Sequence, residues 1–151
     1  RDVQRRLLNT VENAGMVVTS DIGEAHDVHP KEKIMVGQRL ARWALNRVYG
    51  RDMLPSGPLF SAYSRNKGVV ELTFRYAEGL GTSDRQALRG FGFQTRHGEL
   101  VPARARIEKE KVLIEEIPGA VSLVYGWDPV SGGNLVNAAN LPASTFHVIL
   151  K

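Results

Sequence analysis

The densest chemistry in this chain lies in "SDIGEAHDVHPKEKIMVGQRLARWAL", residues 20 to 45. Two histidines, His26 and His29, and three carboxylates, Asp21, Glu24 and Asp27, fall within its first ten residues. Histidine changes charge near neutral pH and can carry a proton, and a nearby carboxylate can orient its ring. Such a base acts on a nucleophile that it activates. A loop that needed only solvation would use acids and glycine, and would rarely use histidine twice.

Proline at position 30 suits the first turn of a helix, where its missing N–H costs nothing. The residue before a proline is pushed toward extended geometry, which suits a helix cap. His29 is therefore expected at the mouth of a helix that starts at Pro30, just past the carboxyl end of a strand. In open α/β sheets, ligands bind at that edge. The helix dipole there disfavours imidazolium, so His29 is expected to be neutral and available as a base. The same position also suits a plain capping or surface residue. His26, Asp27 and His29 are possible metal ligands, but a loop without a fixed face gives poor ligand geometry, and no metal is expected. His97, in "TRHGE", reads as an exposed turn residue, and His147, in "STFHVIL", as a strand surface residue.

The elements that must position this loop come next. In "DVQRRLLNTVEN", Val3, Leu7, Leu8 and Val11 recur at helical spacing and give one apolar face. Met16 to Thr19 is a short run of the type a buried parallel strand uses. After the loop, Ile34, Val36, Leu40, Trp43, Ala44 and Val48 form a wide apolar stripe on a second helix that Gly50 stops. Helix, strand, loop and helix over residues 1–50 are expected to be the end of an open α/β sheet whose other strands lie upstream.

From "RDMLPSGPL", a linker or crossover, the pattern changes to strands. "LFSAYSRNKGVVELTFRY" reads as a hairpin turning at Asn66-Lys67-Gly68, with Val70, Leu72, Phe74 and Tyr76 alternating along its second arm. "FGFQT", "LVPARARIE", "KVLIEEI", "AVSLVYGW" and "STFHVIL" each read as one strand. Gly98-Glu99, Glu108 to Glu110 and Pro118-Gly119 mark turns between them. Short antiparallel strands at this spacing predict a β-sandwich or jelly-roll over residues 51–151.

Composition narrows the function classes. The chain has 151 residues, 42% hydrophobic and 24% charged, which suffices for a packed core. Its net charge is +4, with an isoelectric point near 9.6, yet the basic residues are scattered. A nucleic-acid face would need a continuous basic stripe with stacking aromatics, so no nucleic acid is expected. Without cysteine there is no disulfide framework and no thiolate zinc site. No apolar run approaches the ~20 residues of a membrane span. No signal peptide is visible, and the chain starts at Arg1 rather than methionine, so it is expected to be part of something longer.

The string "TSDIGEAHDVHPKEKIMVGQRLARWAL" resembles the last sequence block of SGNH (GDSL-like) hydrolases, in the form found in bacterial sialate O-acetylesterases. That block has a strand ending in aspartate, a Gly- and acid-rich loop, Asp-Ile-His-Pro, a lysine, and a helix containing Gly-x-Arg-Leu. The matching positions are Asp21, Gly23, Asp27, His29, Pro30, Lys33, Gly37, Arg39 and Leu40. "RDVQ" is similar to the start of the preceding family helix. "SGPLF", "GFGFQT", "LVPARARIE", "VSLVYGWDP", "GNLVN" and "NLPASTF" are similar to the family's C-terminal region, so the resemblance covers essentially the whole chain.

The resemblance implies an SGNH, flavodoxin-like parallel-sheet hydrolase domain ending near residue 50, followed by an antiparallel β-sandwich-like domain. It implies a serine esterase that removes acetyl groups from sialic acid hydroxyls, with no cofactor, and export to the periplasm or outside the cell. His29 takes the role of catalytic base by motif match. The serine and the oxyanion donors belong to upstream blocks. Neither Gly-Asp-Ser nor Gly-x-Ser-x-Gly occurs in residues 1–151. The partner carboxylate stays open. The wider superfamily has aspartate three residues before the histidine, where this chain has His26. Asp27 ranks first and Asp21 second, and a backbone carbonyl is the third choice. Asp21 also suits a loop-bracing acceptor. Arg39 suits a solvated helix face better than a sialate-binding role.

Two readings stand for the β-rich part. It contacts carbohydrate, with Trp127 or Asn137 near the glycan, or it is a packing module with Trp127 in its core and "NLVNAANLPAS" as a bracing loop. The second is preferred, because a lone tryptophan ending a hydrophobic strand is usually core. Competing functions are a non-catalytic glycan-binding or structural module, and an acetylesterase acting on another acetylated glycan such as xylan.

Overall fold

The computed structural model describes all of residues 1–151. Two helices, α1 (Asp2–Leu7) and α2 (Lys33–Arg47), precede ten strands. These are β1 (Leu59–Asn66), β2 (Val69–Arg75), β3 (Gly81–Thr82), β4 (Phe91–Thr95), β5 (Leu100–Pro102), β6 (Ala105–Glu108), β7 (Lys111–Glu115), β8 (Ala120–Tyr125), β9 (Leu135–Val136) and β10 (Phe146–Ile149). One antiparallel sheet has the order β1-β2-β7-β6, a second has β10-β8-β4-β5, and β3 pairs with β9.

The β1–β2 hairpin forms where alternation and turn chemistry place it. Lys67 and Gly68 both take positive φ, 48° and 76°, as the tight hairpin turn requires. Val70, Leu72 and Phe74 turn inward from β2, with Val112 and Ile114 beside them on β7. Phe91 and Phe93 of β4, Leu123 and Tyr125 of β8 and Phe146 of β10 join the same core from the second sheet. Phe146 stacks on Phe60 of the first sheet with centroids 4.5 Å apart, so the inner faces of the two sheets share one apolar interior.

"LVPARARIE" is two strands rather than the single one expected. Its first half, β5, pairs with β4, and its second half, β6, pairs with β7 in the other sheet. The alternation of Val101, Ala103, Ala105 and Ile107 runs through the crossing unbroken, because both halves face the same interior.

The long segment before β10 is tied down by buried asparagines. Asn137 Nδ2 donates to Ser56 O at 2.8 Å and to Tyr76 O at 3.0 Å, and its Oδ1 accepts from the Leu141 amide at 3.3 Å. Asn134 donates to Asp84 and to Ala87 O, and accepts the Arg89 amide at 2.9 Å. The Asn134 amide, then Arg89 and the Gln86 N–H, hold the Asp84 carboxyl down at about 2. "NLVNAANLPAS" thus braces the β-rich part itself.

Residues 1–50 depart from the expected arrangement. Met16 to Thr19 forms no strand. A ladder needs a neighbouring strand, and no strand of this chain runs beside the segment. Side chains of α2 satisfy part of its backbone instead: Trp43 Nε1 donates to Met16 O at 2.8 Å, and Arg39 donates to Val18 O.

Both helices also turn a more polar face inward than expected. In α1, Asp2 and Arg5 are buried while Val3 is 78% exposed and Leu7 is exposed. Arg5 donates to Asp2 at 2.9 Å and to Phe60 O at 3.1 Å, so the ionic side of the helix is the one that meets β1. α1 stops at Leu7, leaving Leu8 and Val11 outside it. In α2, Trp43 of the expected stripe is buried and Val36 is half-buried, but Arg39, Arg42 and Asn46 turn inward with them, whereas Ile34, Leu40, Ala44 and Val48 are exposed. Arg42 donates to Leu54 O at 2.8 Å and Asn46 to Met53 O at 3.0 Å. Around Trp43 the inner face is polar because its work is to satisfy the carbonyls of two irregular segments. Gly50 ends this helix as expected, its φ of 62° letting the Arg51 N–H return to Leu45 O at 2.9 Å.

Candidate active site

The loop between the extended segment and α2 carries the three candidate residues. Helix α2 begins at Lys33, with Glu32 in the capping position. Pro30 therefore lies outside the helix and His29 does not cap it. Lys31 O takes the Lys33 amide at 2.8 Å in a tight turn, which delays helix entry past the proline. The helix N-terminus is thus further from the imidazole than a start at Pro30 would place it.

Asp27 and His29 come together. The Asp27 Oδ1 atom accepts the backbone N–H of His29 at 2.8 Å and lies 3.2 Å from His29 Nδ1. A side-chain oxygen that accepts the amide two residues on is an Asx turn, and the spacing Asp-x-His brings the ring to the same oxygen. The His29 side chain is 84% exposed and that of Asp27 is 50% exposed. With Nδ1 facing the carboxylate, Nε2 is left without a hydrogen-bond partner in this chain.

Asp21 is held elsewhere. Its two carboxylate oxygens accept from Arg39 Nη1 at 2.7 Å and Nη2 at 2.6 Å, a two-pronged pair. The Arg39 side chain is only 8% exposed, and it also contacts Met35 Sδ at 3.3 Å. Arg39 is thus not on a solvated face. It fixes the start of the loop to α2, and Asp21 is its counter-ion. Sequence gives no warning of this pair, whose members are 18 residues apart.

His26 and Glu24 are exposed and make no side-chain bonds. His97 lies in the β4–β5 turn, exposed, and His147 is half-buried on β10. No three His, Asp or Glu residues converge in a geometry that would hold a metal. A cavity of about 710 Å³ between the end of α1 and the α2 residues Trp43 to Val48 contains none of the three candidates.

Trp127 is a correction. It is 41% exposed rather than in the core. Gly126, with φ of 57°, ends β8 and turns the chain outward, so the indole leaves the sheet and lies over His147, ring centroids 5.3 Å apart. Asn137 is buried and its amide is fully engaged within the chain, which removes it from any glycan.

No family model matches this sequence, and no curated protein does. Among solved structures, the chain is similar to a carbohydrate acetylesterase from Xanthomonas citri, with 32% identity and a TM-score of 0.78. The likeness is to a carbohydrate esterase. It covers 85% of this chain and 31% of that one, so the chain spans about a third of the length of the enzyme it matches. A relationship to carbohydrate acetylesterases agrees with the acetyl-ester chemistry read from the histidine block. Neither the sialate substrate nor the SGNH fold follows from it.

Proposed function

We propose that this chain is the histidine-bearing part of a carbohydrate O-acetylesterase with His29 as base, Asp27 as its orienting acid and a serine nucleophile outside residues 1–151. The observation that carries this reading is the Asp27–His29 contact at 3.2 Å, in a chain similar to a carbohydrate acetylesterase. With Nδ1–H donating to Asp27, Nε2 is free to take the serine proton as the hydroxyl attacks the acetyl carbonyl. The carboxylate stabilises the imidazolium, which returns the proton to the departing sugar hydroxyl. Water then releases acetate by the same route in reverse.

Residues 1–50 are proposed as the last elements of an SGNH-type α/β domain, and residues 51–151 as a β-sandwich-like accessory domain. Two features support the first assignment. Helices α1 and α2 turn apolar residues outward, and the extended segment Met16 to Thr19 has the sequence of a buried strand but no ladder. Apolar faces and unpaired extended backbone are what an adjoining sheet would cover. O-acetylated sialic acid is the first substrate to try, from the likeness of the histidine block, and acetylated xylan is the second. Such substrates suit a periplasmic or extracellular protein.

The test is acetate release from both substrates by the full-length protein that carries this chain, beside its His29→Ala variant, with equal folding of the two shown first. The parent should turn over and the variant should lose several orders of magnitude, while residues 1–151 alone should release none. Equal measurable rates for parent and variant would make His29 a loop residue and place the base elsewhere, and no release by the parent would leave a non-catalytic glycan-binding module. Turnover by residues 1–151 alone would put the nucleophile within this chain.

A further inference from the structure

We infer that the exposed Trp127, packed against His147 and followed in the chain by Asp128, forms a glycan-binding platform that takes the apolar face of a pyranose ring. The ligand class rests on the carbohydrate-esterase reading; the platform rests on its own geometry. Exposing a large indole forfeits the burial that normally places tryptophan inside, so a fixed and exposed one needs a use.

This one is fixed. The Gly126 amide donates to Gly90 O at 2.9 Å, and its carbonyl accepts from Thr145 Oγ1 at 3.1 Å and from Arg1 Nη2 at 3.0 Å. Arg1 also reaches Asp128 O, so the residues on both sides of Trp127 are held by their backbones. A Cβ at Gly126 would lie 2.8 Å from Ser131 Oγ, so the turn that projects the indole is closely packed. The backbone that carries the indole is therefore preorganised, so less ordering is left for binding.

The surrounding chemistry suits a sugar. A pyranose presents axial C–H bonds on one face, which favour the negative face of an aromatic ring, and hydroxyls around its rim. His147, half-buried on β10, backs the indole, and the Asp128 carboxylate, next along the chain, makes no hydrogen bond within it and has two acceptor oxygens for those hydroxyls. A protein partner would use the same indole, but it would not respond to free sugar.

The test is heteronuclear NMR of residues 1–151 titrated with xylotetraose and, separately, sialyllactose. The chain has two tryptophans, so it gives two indole N–H signals, assigned by the Trp127→Ala variant. The Trp127 signal should shift saturably with at least one of the two glycans while that of buried Trp43 stays in place. Trp127→Ala should weaken binding by about tenfold or more, and Trp127→Phe should restore most of it. No saturable shift with either glycan, or equal binding by Trp127→Ala, would overturn the inference. Binding here without acetate release by the full-length protein would leave the platform standing and remove the esterase reading. Acetate release without Trp127-dependent binding would do the reverse.

Discussion

One oxygen of Asp27 serves His29 twice, accepting its backbone amide at 2.8 Å and facing its Nδ1 at 3.2 Å. The carboxylate that shapes the turn is also the one that aims the ring.

These two duties are separable. Asp27→Asn keeps an oxygen for the amide but loses the charge, and Asp27→Ala loses both. If Asp27 orients the base, both variants of the full-length protein should lose about 10²–10⁴ in kcat with KM little changed, as acids in such triads do. Full activity in Asp27→Asn would leave Asp27 as a turn former and favour a backbone carbonyl as the orienting group.

Asp21 is expected to act on stability rather than on rate. Arg39→Met should leave the carboxylate without its partner and Val18 O without its donor. Loss of one member of a fully buried pair costs about 3–5 kcal/mol, and the partial exposure of Asp21 brings this to about 1–3 kcal/mol. A urea unfolding midpoint reads it directly. Asp21→Asn should also shift the midpoint while keeping kcat within about threefold of the parent, which Asp27→Asn should not do.

Phe146 is the ring on which the two sheets meet. It lies 4.5 Å from Phe60, 6.0 Å from Tyr125, 6.2 Å from Phe74 and 6.3 Å from Phe91. Phe146→Ala should cost about 3–5 kcal/mol, measured by denaturant titration. Phe146→Leu should recover more than half of that, since most of the volume returns.

Tyr125 gives the fold an alkaline edge. Burial pushes its phenol from 10.0 up to about 12, against the Leu135 N–H, whose donation to its oxygen pulls the other way. The unfolded chain releases this proton near 10 and the folded chain only near 12. Its contribution to stability is therefore whole below pH 10 and is lost as pH rises through 12, about 2–3 kcal/mol at most. Ultraviolet titration should show one of the four tyrosines ionising last, and Tyr125→Phe should flatten the stability loss above pH 10.

Much of the β-rich part was legible because local signals carried it. Lys67-Gly68 fixed a turn, and the alternation from Val70 to Phe74 fixed which side of β2 faces inward. Alternation also concealed the crossing at Ala103-Arg104, since a strand that changes sheets around one core keeps its inner residues inner. Periodicity marked both helices as two-faced. It said nothing about what each face meets, and here the polar faces meet carbonyls. The run from Met16 to Thr19 reads as a strand because strandedness was judged from side chains, while a ladder depends on a neighbour. In the candidate site, the contact between Asp27 and His29 was legible because only two positions separate them in the chain. The Arg39–Asp21 pair was not, because only folding brings it together. Trp127 turned outward on the φ of Gly126, which no hydrophobicity pattern encodes.

The crossing at Ala103-Arg104 makes each sheet a mosaic. The first sheet is drawn from residues 59–75 and 105–115, and the second from 91–102 and 120–149. Neither can be removed by trimming an end, and no single internal cut separates them. Each must wait for strands of the other to be threaded past it, so the pair should gain and lose structure in one cooperative event, with long loops to close before any reward arrives. Residues 59–149 are thus a single unit of inheritance: a recombination point between residues 91 and 115 breaks two sheets at once, one elsewhere inside the unit breaks one of them, and one at the "RDMLPSGPL" linker breaks neither.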